Sequence, residues 1–365
     1  MKKHWLSMVI ISLVIVVLAL AACAAPAPAP SPSPAPTPAP APQPAAPKLL
    51  KFASDIPEKG AISPAWIWYL DEIEKQTGGK VKFDRYWGGS LVKQAEQVDA
   101  LMAGVVDITN SNVLSRRQLL PLSHVFNLPT TVFPDTAEGH KIGRETALAM
   151  IAKYPELSNE YKDFKLLTWS TDPYRMCVSK PVVHVPDDLK GLKMGAEGTG
   201  QDIAKAAGAT PVMIIPPETY MSLERNVITA TIAVGWNHVQ VFKLWEVAKN
   251  YLEYGFGQGA TCLFMNNDSW ASLSPDVQKV MMDLLPECLN RCDQGLLGSA
   301  DVARKSVADN GGTIYTPTAA EAQLWEKVKA PSEQIWLDEM KAKGLTNAPK
   351  ILDEVKQAAN KAWGR

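Results

Sequence analysis

Histidine is scarce in this 365-residue chain. The five present, His4, His124, His140, His184 and His238, are scattered, and none has metal-ligand spacing with another histidine or a cysteine. The chain has no G-x-x-x-x-G-K-[ST] phosphate loop, no H-E-x-x-H zinc helix and no G-x-S-x-G elbow. No nucleophile–base pair or metal constellation is legible, and no cofactor is expected. Neither sign of charge is in excess: 37 Lys and Arg face 38 Asp and Glu, a formal −1. So balanced a chain argues against nucleic acid as a partner. The five cysteines are too few for a dense disulfide framework. Cys177, Cys262, Cys288 and Cys292 permit pairing in an oxidising compartment. Cys288 and Cys292, four apart in a helical pattern, are expected to pack as small apolar side chains. No repeat of 20–50 residues is present.

What is present begins at the N-terminus. Lys2 and Lys3 precede an apolar run from Leu6 to Leu20, and small residues lead into Cys23. Positive end, apolar stretch and small residues are the order of a secretory signal peptide. Leu20-Ala21-Ala22-Cys23 resembles a lipobox, which makes Cys23 the expected lipidation site and new N-terminus after residues 1–22 are removed. A plain signal peptide, or a single span with an incidental cysteine, is the alternative, although fifteen residues fall short of the ~20 that a membrane helix needs. Ala24–Pro47 holds 11 prolines in 24 residues. Proline fixes φ and lacks the amide donor, so this tract cannot join a helix or sheet. It reads as a polyproline II spacer of at most ~75 Å, or as a disordered tail.

The remainder, 48–365, is long enough for two cores. Leu49–Ser54 reads as a strand, Ala65–Thr77 as a helix and Lys80–Asp84 as a strand. Gln94–Ala103 follows as a helix stopped by Gly104, then Val105–Ile108 as a strand. Later, Leu192–Met194 reads as a strand and Gln201–Ala207 as a helix. Beyond about Ser299 the chain is helical and charged, interrupted at Gly311-Gly312 and near Pro331. The alternation predicts an α/β fold with a largely parallel sheet. Gly195-Ala196-Glu197-Gly198-Thr199-Gly200 lacks the spacing of a dinucleotide loop, but its amides could face a small anion, as helix N-termini do. The chain is rich in tryptophan, with 11. Trp87 and Trp236 stand beside glycines where strands should end, the place where open α/β sheets bind ligands.

Several passages together resemble the solute-binding subunits of TRAP transporters, the DctP-type family. They are Thr77-Gly78-Gly79-Lys80-Val81 with Gly88-Gly89-Ser90-Leu91, the Gln94–Asp107 stretch, Leu128-Pro129, Pro186–Met194, Phe242–Val247 and Leu273–Lys279. The resemblance implies a two-domain periplasmic-binding-protein-like fold with hinge strands and a long C-terminal helix. Domain I is then 48–171 plus about 263–305, and domain II 172–262 plus about 306–365. It implies a small organic acid as ligand, TRAP membrane subunits as partners, and an extracytoplasmic protein held to the membrane by its lipid. Arg175 occupies the family's carboxylate-pairing position, and the guanidinium fork suits that task. Gly195 stands where a second arginine is usual, which points to a monocarboxylate. Met194, Trp236, Asn237, Glu96, Tyr220 and Trp87 complete the expected ligand set. Alternatives are a secreted α/β enzyme and a lipoprotein that senses a ligand rather than delivering it.

Overall fold

The computed structural model describes residues 46–173, 175–178 and 181–365; the side chains of 114, 115, 173, 175–178 and 233 lie outside the description. Cys23 and the Ala/Pro tract to Ala45 also lie outside the described residues.

Two mixed sheets form the frame. The first runs β2-β1-β3-β10-β4, with β1 Lys48–Ala53, β2 Val81–Tyr86, β3 Ile108–Asn112, β4 Phe164–Pro173 and β10 Gln258–Asn266. The second runs β11-β9-β5-β8-β6-β7, with β5 Arg175–Val178, β6 Lys193–Ala196, β7 Thr210–Met213, β8 Ala230–Val234, β9 Asn250–Leu252 and β11 Thr313–Tyr315. The expectation of a largely parallel sheet needs correcting. β10 lies antiparallel to both β3 and β4, and β5 antiparallel to both β8 and β9. These are strands of the segments that pass from one sheet to the other, so they run against the βαβ units beside them.

Each sheet is covered on both faces. Along β10, Cys262 and Phe264 enter one apolar cluster while Leu263 and Met265 enter the opposite one, the period-2 alternation of a strand buried on both sides. Three segments cross between the sheets: β4 into β5, β9 into β10, and the helix Pro275–Asp309. That helix buries Met281, Leu285 and Cys292 against the first sheet's core and Ala303 and Val307 in the second's. Cys262, Cys288 and Cys292 are buried free thiols, and Cys288 and Cys292 pack as apolar side chains.

Local readings hold with shifts at the ends. The helix Ser63–Gln76 starts with Pro64 in its first turn and ends at Gly78 and Gly79, both at positive φ. Gln94–Ala103 is a 3-10 turn, Gln94–Glu96, continued by the helix Gln97–Met102. The strand expected at Val105–Ile108 lies later, at Ile108–Asn112. Gly104 turns at φ +69°, Val105 is exposed in the turn, and pairing to β1 begins only at Ile108. The Gly311-Gly312 break leads into β11, and Pro331 opens the helix Pro331–Ala342. Among the described residues no helix is long and apolar enough to cross a membrane.

Candidate functional site

A cleft of about 730 Å3, counting the open space at its mouth, lies where the two sheets face each other. The first sheet supplies strand ends: Asp55 just beyond β1, Asn110 and Asn112 on β3, Ser170 and Asp172 on β4, Thr261 on β10. The second supplies the turn after β7, Pro216-Pro217, and the short helix Trp236–Val241 that follows β8. Apolar surface comes from Ile56, Pro57, Ile62, Pro217, Val241 and Phe242, with Leu296 of the long helix. The arrangement obeys the rule that open α/β sheets bind beyond their strand ends, and it combines an apolar wall with a few polar groups, as small-molecule sites do.

The polar groups are specific in kind. Asp55 Oδ1 accepts from Gln97 Nε2 at 3.1 Å and from Asn110 Nδ2 at 2.7 Å. Burial pushes this carboxyl above its usual range, against the pull of the two amides. His238 Nδ1 accepts the backbone N–H of Gly235 at 3.0 Å, which puts the neutral ring's proton on Nε2. Burial lowers His238 to about 4, so the ring is neutral at neutral pH. Asn237 Oδ1, Ser170 Oγ and Gln94 Oε1 are buried with no hydrogen-bond partner among the described residues. Gly235 admits close neighbours: a Cβ there would sit 2.9 Å from Asn237 Oδ1 and from both oxygens of Asp172. Among the described residues no group of three or more His, Cys, Asp or Glu is placed to hold a metal.

The profile of the family described as "Bacterial extracellular solute-binding protein, family 7" (DctP) matches residues 68–339. The chain belongs to this family. Members are transport solute-binding proteins, and the solved relatives are TRAP solute-binding proteins. The C4-dicarboxylate-binding periplasmic protein DctP of Rhodobacter capsulatus is 26% identical over 296 residues, 79% of this chain and 86% of its own length. A TRAP solute-binding protein of Rhodoferax ferrireducens T118, solved with copurified benzoate, superposes with TM-score 0.77 at 22% identity, over 87% of this chain and 98% of that one. A marine metagenome TRAP protein specific for aromatic acid ligands, solved with 3-hydroxybenzoate, gives TM-score 0.78 at 24% identity, over 87% and 99%.

In this solute-binding protein the residues singled out from sequence fall into distinct places. Asn237 lines the cleft. Arg175 opens β5, its backbone paired with Val234, one residue before Gly235 and three residues after cleft-lining Asp172; its side chain lies outside the described residues. Trp236 is 3% exposed and turned into the core, where it stacks on Tyr251, lies under Arg304 and donates from Nε1 to Glu253. Met194 is fully buried under the second sheet. Gly195 meets Ile228, Ile214 and Thr231, so neighbouring side chains fill the volume a side chain would take. Trp87 is half-buried against Phe52 at 5.0 Å. Glu96 is exposed beside cleft-lining Gln94, and Tyr220 donates to Glu246 at 3.0 Å. None of these last six is among the cleft-lining residues.

Asp55, Gln94, Asn110, Asp172 and His238 escape the sequence reading because they come from five segments that only the two-sheet topology unites. Asp55 carried the clearest signal, a polar residue immediately after a hydrophobic strand and before Ile56-Pro57.

Proposed function

We propose that the cleft captures a small monocarboxylate with an apolar body, pairs its carboxylate with Arg175, and closes on it for delivery to TRAP membrane subunits. The observation that carries this reading is the charge of the described lining. It holds two carboxyl groups, Asp55 and Asp172, and no lysine or arginine. One guanidinium from Arg175 balances one ligand carboxylate. A second ionised carboxylate would be buried among like charges with no described cation to offset it, which is costly. The apolar wall of Ile56, Pro57, Ile62, Val241 and Phe242 suits a hydrocarbon body. Benzoate and 3-hydroxybenzoate in the two superposed relatives are of this chemical kind, whereas the Rhodobacter relative is named for dicarboxylates. The three segments that cross between the sheets are the natural hinges of closure; the helices Pro331–Ala342 and Ala348–Ala362 pack into a core of the first sheet rather than into domain II, because Trp336, Met340, Ile351 and Val355 find their apolar partners there. Lipidation of Cys23 would hold the binding body outside the cytoplasm on its Ala/Pro stalk.

Competition calorimetry tests the reading with benzoate against phthalate, and butanoate against succinate. Tighter binding of the monocarboxylate in each pair is expected. A tenfold preference for the dicarboxylate would refute it.

A further inference from the structure

Asp55 sits badly in a cleft that takes only an acid. A carboxyl group facing an organic anion repels it unless something else on the ligand meets that carboxyl. Its position is fixed from behind. Gln97 Nε2 also reaches Asn110 Oδ1 at 3.3 Å, so Asp55, Asn110 and Gln97 form a closed triangle with both amides aimed at Oδ1. No described side chain donates to Oδ2. The rest of this end of the cleft is also rich in acceptors. Gln94 Oε1 is a buried acceptor without a described partner, and Gln97 Oε1 another just behind. In the strand order, β1 stands three spacings from β4, about 14 Å at ~4.8 Å each. Asp55 therefore lies far across the sheet from Asp172 and the start of β5, where Arg175 stands.

Resting on the monocarboxylate reading, we propose that Asp55 is a specificity-determining residue that accepts a hydrogen bond from a hydroxyl or N–H group carried on the organic acid away from its carboxylate. The ligand is then a hydroxy- or amino-substituted acid with an apolar middle: the anion end goes to Arg175 and the donor end to Asp55. A site built to pair a ligand hydroxyl rejects the analogue that lacks it far more strongly than an apolar pocket rejects a missing methylene.

Calorimetry on the full chain tests this with matched pairs: benzoate against 3- and 4-hydroxybenzoate, and phenylacetate against its ring-hydroxylated forms. The wild-type protein should bind at least one hydroxylated acid tenfold or more tighter than its parent. Asp55→Asn, which keeps the shape but not the charged acceptor, should cut that preference below threefold. A thermal melt of Asp55→Asn confirms folding, and Asn110→Asp serves as a second variant that leaves Asp55 intact but repels it. That variant should lower affinity for the hydroxylated acid. Parent acids that bind with no hydroxyl preference, or a preference that survives in Asp55→Asn, overturn this proposal alone. Absence of binding by every acid overturns the monocarboxylate reading, and the role of Asp55 with it.

Discussion

Arg117 ties two helices together: its guanidinium grips Glu339 with bonds of 3.0 and 2.8 Å and reaches Asp202 Oδ2 at 3.3 Å. Glu339 belongs to the helix Pro331–Ala342, whose Trp336 and Met340 enter a core of the first sheet, and Asp202 to the helix Thr199–Ala206 on the second. The link therefore fastens the first sheet's half to the second's. The Asp202 bond is long and that pair alone is worth little, so Asp202→Asn should cost ~1 kcal/mol or less. Arg117→Ala, which also strips the fork from Glu339, should cost ~1–2 kcal/mol. Urea unfolding of both variants measures the difference, and a costlier Asp202→Asn would show that the cross-sheet bond dominates.

Arg175→Ala should weaken binding of the best monocarboxylate by a hundredfold or more, since breaking a desolvated pair from one side costs ~3–5 kcal/mol. Arg175→Lys should recover little, because an ammonium cannot make the planar two-point contact. Calorimetry on both variants reads this directly. Unchanged affinity would place Arg175 outside the site.

How far the sequence carried the site is clear from the neighbours of Gly235. A tryptophan and an asparagine after a strand-ending glycine marked the right turn, and Asn237 does line the cleft. Trp236 points the other way because the first residues of the helix Trp236–Val241 diverge around its axis, and an apolar ring finds Tyr251 and the core. Glu96 and Gln94 show the same problem two residues apart. Local pattern located elements well, because Gly78, Gly104 and Pro331 punctuate them by conformation alone. It could not locate antiparallel β10, whose partners on β3 and β4 lie 85 or more residues earlier in the chain. Register between distant strands decides which polar residues share a cleft, and no window of sequence contains it.

Cys23→Ser should abolish lipid attachment and leave unprocessed precursor. Labelling cells with a palmitate analogue, followed by mass spectrometry of the mature N-terminus, checks this. Cleavage before position 23 with lipid still attached would sink the anchoring argument.

Two histidines, the fully buried His124 and the half-buried His238 of the cleft, should make the protein lose stability on mild acidification. Burial, helped by the charge of Arg117, lowers His124 to about 3, and burial lowers His238 to about 4, against an ordinary 6.5. Above pH 6.5 both rings are neutral folded or unfolded. Below it the unfolded chain takes protons that the fold refuses, and each ring removes ~1.4 kcal/mol per pH unit until its folded value is passed. Glu160 runs the opposite way. Burial raises it to about 7 from 4.5 in spite of hydrogen bonds from Ser123 and Leu122, so it adds stability as pH falls from 7 to 4.5. From pH 6.5 to 4.5 these three groups leave a net loss of ~1.4 kcal/mol per unit. Urea midpoints at pH 6.5 and 5 measure the slope. His124→Gln, which keeps a donor for Val113 O, should flatten it. A slope in His124→Gln no flatter than that of the wild type would contradict the neutral ring.

Restoring an arginine at position 195 should not create a dicarboxylate site, because the position faces packed side chains. A Cβ on Gly195 would lie 2.8 Å from Ile228 Cδ1, 3.4 Å from Ile214 Cβ and 3.4 Å from Thr231 Oγ1. Thr231 Oγ1 already donates to the Gly195 carbonyl at 3.2 Å, fixing β8 against β6. Adding a methyl there forces the Ile228 Cδ1 end to shift, so Gly195→Ala should cost ~1–3 kcal/mol. Gly195→Arg should cost more, since its charge would start among buried aliphatic groups without a partner. The cause can be isolated, because the closest clash is with a single atom. Ile228→Val removes Cδ1 and by itself should cost ~0.5–1.5 kcal/mol. If Ile228 is the obstacle, the double variant Gly195→Ala/Ile228→Val should be more stable than the sum of the two single changes by ~1 kcal/mol, as expected for residues in contact. Additive costs in that cycle would mean that Ile228 moves aside freely. Stable folding of Gly195→Arg together with new succinate binding would show that position 195 reaches the cleft after all.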